Sequence, residues 1–548
     1  MKRFVLASLV VALVALPVPR ASSDACPTTL GCGADLSWAQ DLEAKITQNT
    51  WYGQVFEIDH DPTTGAVISV NEFGDSALWT GTYLAAESYR YALATKYLRG
   101  PLSPADRDFW KAQRDDAKPR IDAMVAKFHL LSNISKNWTN TKPAAVNPPA
   151  INLGGTIYKG GEPGYLMRAC IPTTAPEWQR WSNAEIATSR RIYGPLTWDD
   201  GRRYYCEDAT SRDAYAGTFF GLLTAFDMVG PHDHKLADTI RDDIVTMVNF
   251  AVKYYWNTPR PNGRISIPIG SNHDAPPCTT INPILDICGH DFENFVSPLF
   301  ITTPTARLNL AAAAWHVVDA DPGRSDAAKW AAVHDEELAA DVPFLAAEME
   351  TDDAQPNSSY YKFNLNHLTM FDIDRLEPDV AVHTAVQQAF GVMDSTTRDD
   401  VNAHFETITY ALTGDSSRFS DAVTHVRQWR DYDTRIHTTS VTNNSRYCGT
   451  TLTCVPDDQM DELVAGRDVT IPGSSGNLRA KDPLPVADRP PTDFLWQRPP
   501  WQLNGSASVY HQAPGIDYLL PYWMLRYYSE AQIPAHDPFP AWPGPVHN

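Results

Sequence analysis

The sequence predicts an all-α protein: a ring of helical hairpins with a cleft at one end, a small β-hairpin insertion and long rim loops. Three observations carry this. The stretch 74–98, GDSALWTGTYLAAESYRYALATKYL, repeats Leu78, Thr82, Ala85, Ala86, Tyr89 and Leu93 at spacings of three and four, the period of an α-helix. Its Ala, Gly and Thr content lets a neighbouring helix approach closely. A second stretch, 210–229 (TSRDAYAGTFFGLLTAFDMV), has the same build, with Arg212-Asp213 at its mouth. The rest of the chain reads as further helices, about twelve in all, joined alternately by short turns and long loops.

In order, residues 1–25 read as a signal peptide: basic Lys2-Arg3, apolar Phe4 to Val18, and Ser23-Asp24-Ala25 as the cleavage site. That apolar run is too short to span a bilayer, and no later stretch of such length lacks charges. No membrane span is expected, and 26–548 reads as one exported domain, secreted or periplasmic. Cys26 follows the cleavage site, but Ser-Asp-Ala lacks the large apolar residue of a lipid-anchor site. A short helix is expected at 36–48. Over 51–72, VFEID and AVISV flank DPTTG, the pattern of a β-hairpin with a Gly-containing turn. Asp59, His60 and Asp61 lie at its tip.

The 75–98 helix follows, then 103–131, opened by Ser103-Pro104. Residues 132–210 read as one long irregular loop. Helices are expected at 211–229 and 235–256, then, after a loop at 257–290, at 291–319, 325–345, 360–376, 379–392, 397–413 and 418–430. A loop region at 431–508 precedes the last helix, 515–530. No repeat or low-complexity linker divides the chain.

The net charge of −21 argues against nucleic acid and anionic membranes as partners. The cysteines fall into four local couples, Cys26/Cys32, Cys170/Cys206, Cys278/Cys288 and Cys448/Cys454. Behind an export signal, and without CxxC spacing, these read as disulfides stapling loops. The sequence is silent on oligomeric state.

GDSALWTGTYLAAESYRY, GEPGYLMRAC, TSRDAYAGTFFGLLTAFDMV, YYKFNLNHLTMFDIDRLEPD and DYLLPYWMLRYY resemble, in the same order, segments of secreted bacterial proteins of the six-hairpin glycosidase-like class. The resemblance spans 75–530. It implies an (α/α)6 toroid and leaves the reaction open, since toroids host hydrolases, lyases and epimerases.

Glycoside hydrolysis needs two carboxyl groups across the scissile bond, one protonated and one ionised. Asp75 and Asp213 are the leading candidates, each where a loop enters a helix; the structural alternative is that both are helix caps. Arg212 is expected to lower the Asp213 pKa, which makes Asp213 the base or nucleophile and Asp75 the acid. Asp517 is a third candidate, and Asp291 and Glu293 follow. Asn364, Asn366 and His367 in FNLNHLTMF form an unusually polar helical segment. They are candidates for sugar contacts or, with Tyr360, Tyr361 or Tyr518, for the base and acid of a lyase; a hydrogen-bonded core cluster is the alternative. Trp51, Trp79, Trp138, Trp198 and Trp523 are candidate stacking platforms, against the commoner role of core packing.

Weaker patterns assign no metal and no cofactor. Asp59-His60-Asp61 is explained by a polar turn, His232-Asp233-His234 by helix capping, and Asp372, Asp374, Glu377 and Asp379 by a solvated helix end. Lys253 with Arg260-Pro261 matches only the opening of an acid phosphatase signature. P-loop, GxGxxG, GxSxG and HExxH patterns are absent. The expectation is a secreted carbohydrate-active protein, a glycoside hydrolase of poly- or oligosaccharide. The alternatives are a polysaccharide lyase using Asn/His/Tyr, or a non-catalytic glycan-binding toroid. The substrate-binding set is Trp79, Arg212, Asn364, Asn366, His367, Asp517 and Tyr518.

Overall fold

The computed structural model describes residues 34–138, 151–153, 156–175, 192–259, 265–268, 304–353, 360–433, 447–456, 478–490, 495–503 and 511–530, apart from isolated positions within them. The protein is mostly helical, with a few small sheets. The α-helices are α1 Ala34–Ile46, α2 Ser76–Arg99, α3 Pro104–Asn133, α4 Arg212–Met228, α5 His234–Lys253, α6 Pro304–Asp319 and α7 Ala327–Asp341. They continue with α8 Leu345–Asp353, α9 Tyr360–Leu376, α10 Val380–Thr397, α11 Ala403–Thr413, α12 Ser416–Asp433 and α13 Ile516–Glu530.

Two kinds of helix differ in what they bury. In α4 every residue from Ala214 to Met228 is buried, and α2, α9 and α13 are buried nearly all round. In α5, by contrast, Leu236, Ile240, Ile244, Met247, Val248 and Ala251 bury one stripe, the amphipathic pattern of a helix with one wet face. The fully enclosed helices pack on one another: α2 on α4, α4 on α6, α6 on α9, α9 on α11, α11 on α13, and α13 on α2. Each also packs on a partner nearer the outside: α2 on α3, α4 on α5, α6 on α7, α9 on α10, α11 on α12 and α13 on α1.

The tightest contact is between α2 and α4. A Cβ on Gly81 would lie 1.9 Å from the Gly217 carbonyl oxygen, and one on Gly221 would lie 2.3 Å from that of Gly81. Only glycine lets the backbones come so near. Leu78 meets Gly217 while Gly81 meets Gly217 and Gly221, so the two helices run side by side in the same direction. The small-residue face expected for 74–98 is therefore used as read.

Local signals explain most boundaries. Ser103 caps α3, accepting from Asp106 N at 3.2 Å, with Pro104 in the first turn. Asp233 caps α5, accepting from Leu236 N at 3.1 Å, which accounts for the His232-Asp233-His234 pattern. The expected β-hairpin is present as Glu57–His60 paired with Val67–Asn71, joined on its other edge by His511–Gln512. In its turn Asp61 accepts from Thr63 N and Thr64 N at 2.8 and 2.9 Å, a polar turn held by its own backbone.

The stretch read as irregular, 132–210, instead contains a three-stranded antiparallel sheet of Ala169–Pro172, Arg203–Glu207 and Ile192–Thr197. Its strands are short, and the register shifts between Tyr193 and Leu196, which breaks the alternation that marks a strand in sequence. Cys170 and Cys206 face each other in this sheet and are disulfide-bonded. Cys448–Cys454 is also formed. The Cys26/Cys32 and Cys278/Cys288 couples lie outside the described residues. Among the described residues, no helix is long and apolar enough to cross a membrane.

Candidate functional site

The stapled sheet has a clear role as a scaffold. Gln54 Oε1 accepts from Cys170 N at 3.0 Å, and Lys127 Nζ donates to Cys170 O at 3.3 Å. Next to that cysteine, Arg168 N donates to Glu207 O at 2.9 Å, fixing where the Arg168 side chain starts. Its guanidinium lies against the turn that opens α2: a Cβ on Gly74 would be 2.7 Å from Nη1. The same guanidinium acts electrostatically on Asp213 at the start of α4. One arginine thus lies against the turn before Asp75 and within electrostatic reach of Asp213.

The two aspartates are presented differently. Asp75 occupies the N-cap position of α2, but with φ −105° and ψ 5° its side chain makes no capping hydrogen bond. That sparsely populated backbone region aims the side chain away from the N–H groups a cap must reach. The capping expected of Asp75 is therefore not made. In α4, Ser211, with φ −123° and ψ 169°, is the cap and accepts from Ala214 N at 3.2 Å. Asp213 is thereby released from capping.

The expected effect of Arg212 on Asp213 is overridden. Burial raises the Asp213 pKa, and Arg168, Arg212 and Arg498 together pull it down without cancelling that rise. None of the three is hydrogen-bonded to the carboxyl, so each acts only at longer range, where Coulomb attraction is weaker. The Asp213 pKa is therefore raised, the opposite of the direction read from the sequence. Arg168 and Arg498 were not singled out in the sequence; they sit on loops far apart in the chain, and only GEPGYLMRAC, which contains Arg168, drew notice.

Asp517 is buried at the start of α13, the helix packed on the other side of α2. Asp75, Asp213 and Asp517 thus stand at the starts of α2 and of the two inner helices packed on it. Tyr518 is fully buried and donates from its hydroxyl to Asp35 O at 2.9 Å. Trp79 and Trp523 are core side chains, whereas Trp51 and Trp198 are partly exposed. Asp291 and Glu293 lie outside the described residues.

The polar segment of α9 faces inward. Tyr360, Asn364 and His367 fall on one stripe and are enclosed. Tyr360 donates to Asp400 Oδ2 at 2.8 Å, and Asn366 Nδ2 lies 3.5 Å from Met349 Sδ. His367 Nδ1 donates to Phe363 O at 2.6 Å, and its ring stacks on Phe405. His367 Nε2, both ring nitrogens of the neighbouring buried His404 and both amide atoms of Asn364 have no hydrogen-bond partner among the described residues. Burial lowers the His367 pKa to about 4 and drives that of His404 well down. Both histidines are enclosed and favour the neutral form.

The far ends of the same inner helices carry a different cluster. Asp227 of α4 pairs with Arg375 of α9 and accepts from His316 Nε2 of α6 at 2.8 Å. Arg375 Nη2 also donates to Asp372 Oδ1 at 3.1 Å. Tyr89 of α2 packs on Tyr527 and Tyr528 of α13, and Tyr528 on Phe371. The acidic run expected as a solvated helix end is therefore largely core. Asp372, Asp374 and Glu377 are buried, partnered by Arg375, His383 and His334 respectively, and only Asp379 is exposed, as the cap of α10. Partners from the same helix or from neighbouring ones make that burial tolerable.

A groove of about 400 Å³ lies between α5, α7 and the Glu162-Pro163 turn. It is on outer helices, away from the three aspartates, and its Lys253 is paired with Glu162 at 2.6 Å. No group of three or more potential metal ligands occurs among the described residues. No family model matches the chain, and comparisons with characterised proteins and with solved structures return no match.

Proposed function

We propose that the protein is an exported glycoside hydrolase built as an (α/α)6 toroid, with its cleft at the first turns of the inner helices. Support for the toroid comes from the packing order α2, α4, α6, α9, α11, α13, which returns to α2, with an outer helix behind each member. Two loop disulfides agree with export.

The observation that carries the catalytic assignment is Arg168, set against Gly74 and acting on Asp213. That arrangement supports reading the turns bearing Asp75 and Asp213 as parts of one site. Asp213, its pKa raised by burial, is the general acid and protonates the leaving glycosidic oxygen. Asp75 is the second carboxylate and acts on the anomeric carbon, directly or through a water. A carbohydrate is the partner, and no metal or cofactor enters the scheme.

The test uses the mature protein with its Asp75→Asn and Asp213→Asn variants on neutral and uronic-acid polysaccharides. New reducing ends should form with wild type and fall by about a thousandfold or more in both variants. Ultraviolet absorbance from unsaturated uronides that persists in both would overturn the pair and indicate a lyase.

A further inference from the structure

We infer that Arg168 forms a recognition site for an acidic group on the substrate, so that the glycan taken carries a carboxylate or a sulfate ester. This rests on the hydrolase reading above and adds the substrate class.

Arg168 carries a charge with no bonded counter-charge. The Arg168 guanidinium makes no hydrogen bond and no ion pair among the described residues, and its Nε is buried without a partner. Taking a guanidinium out of water costs free energy unless carboxylate, phosphate or sulfate oxygens satisfy its donors. Elsewhere in this molecule buried arginines are satisfied in that way: Arg90 by Glu87 and Asp116, Arg307 by Glu337 and Asp341, Arg526 by Glu530. Arg168 differs from these three: it is only partly buried, its enclosed Nε has no partner, and it is held by a sheet that a disulfide staples in place.

Its surroundings point the same way. Arg212 and Arg498 also act on Asp213, giving three guanidiniums around one carboxyl in a protein of net charge −21. The first turns of α2 and α4, with their positive dipole ends, open at the same place. Gly74 leaves room beside Nη1 that any side chain would fill. A planar fork with its donors uncommitted is suited to bidentate contact with a carboxylate or sulfate. A neutral sugar would leave that fork unmet.

The experiment measures binding at low ionic strength of four matched oligosaccharides: neutral, uronate, uronate methyl ester and 6-O-sulfate. The mature wild type is compared with Arg168→Gln, Arg168→Lys and, as a control at an exposed position, Arg107→Gln. Wild type should prefer an acidic member over the neutral and esterified ones by about tenfold or more. The preference should vanish in Arg168→Gln, shrink in Arg168→Lys, weaken with salt and persist in Arg107→Gln. Tighter binding of uronate than sulfate assigns a carboxylate, and the opposite order a sulfate ester. Equal affinity for acid and ester, or a preference unchanged in Arg168→Gln and Arg168→Lys, overturns the inference. If neutral glycans are nevertheless cleaved with dependence on Asp75 and Asp213, the hydrolase reading stands alone; if no glycan is bound or cleaved, both fall.

Discussion

Helix α4 carries an aspartate near each end, and each lies close to arginine, yet they end in opposite states. At the far end Asp227 is fully enclosed, and burial alone would raise its pKa. Direct contacts with His316 and Arg375 outweigh that and hold the carboxyl below its usual range. At the first turn Asp213 feels three arginines, none bonded to it, and burial wins. Between these two aspartates the difference is direct contact with a cation, which Asp227 has and Asp213 lacks. A bonded cluster ties α4, α6 and α9 together at one end, and at the other the arginines reach Asp213 only through longer-range attraction.

The comparison breaks most visibly if the far cluster is not structural. Arg375→Met leaves Asp227 and Asp372 buried together without their cation, and loss of one partner from a buried pair costs about 3–5 kcal/mol. Chemical denaturation should show that loss, while Arg168→Gln at the open end should shift stability by less than about 1 kcal/mol. Equal losses in the two variants would remove the distinction.

Acid titration sharpens it. Burial depresses the His367 pKa to about 4, so between there and its ordinary value near 6.5 the unfolded chain binds the extra proton. Stability from this group is complete above that range and is lost as pH falls through it, by about 3 kcal/mol in all. Asp372 runs the other way. Burial raises its pKa to about 7 from an ordinary 3.8, so the folded state holds the proton and stability declines as pH rises through that window. His367→Gln should flatten the loss of unfolding free energy on the acid side, and Asp372→Asn should flatten the decline toward neutrality. Variants whose profiles parallel wild type would show that neither group titrates differently on folding.

What the sequence disclosed follows from the range of the forces involved. Helices α2, α3 and α9 were legible to within a residue or two because apolar period, Ser103-Pro104 and flanking turns are local signals. The Cys170/Cys206 and Cys448/Cys454 couples were legible from spacing. The sheet that Cys170 and Cys206 staple was not, since its strands are stabilised by pairing across the chain rather than by their own pattern. Nor was the burial of Asp372, Asp374 and Glu377, which depends on Arg375, His383 and His334 arriving from their own or other helices. The acidic candidates at 75, 213 and 517 were read from helix starts. Arg168, which joins two of them, becomes visible only once the sheet brings it to Gly74.

The smallest change expected in stability tests that junction most directly. Gly74 has no left-handed backbone requirement, so alanine fits its conformation. Reduced freedom of the unfolded chain even favours the variant by a few tenths to about 1 kcal/mol. The new methyl, however, would sit 2.7 Å from Arg168 Nη1, closer than a carbon can approach, and the flexible guanidinium must retreat. Gly74→Ala should therefore leave the unfolding free energy equal to or slightly above wild type while lowering kcat/KM by about ten- to a hundredfold, since misplacement of about 1 Å in a positioning group has that scale of effect. An acidic glycan should show the drop and a neutral one should not. Unchanged kcat/KM on the acidic substrate would mean that the Arg168 fork does not hold the substrate, however close it lies to Asp75 and Asp213.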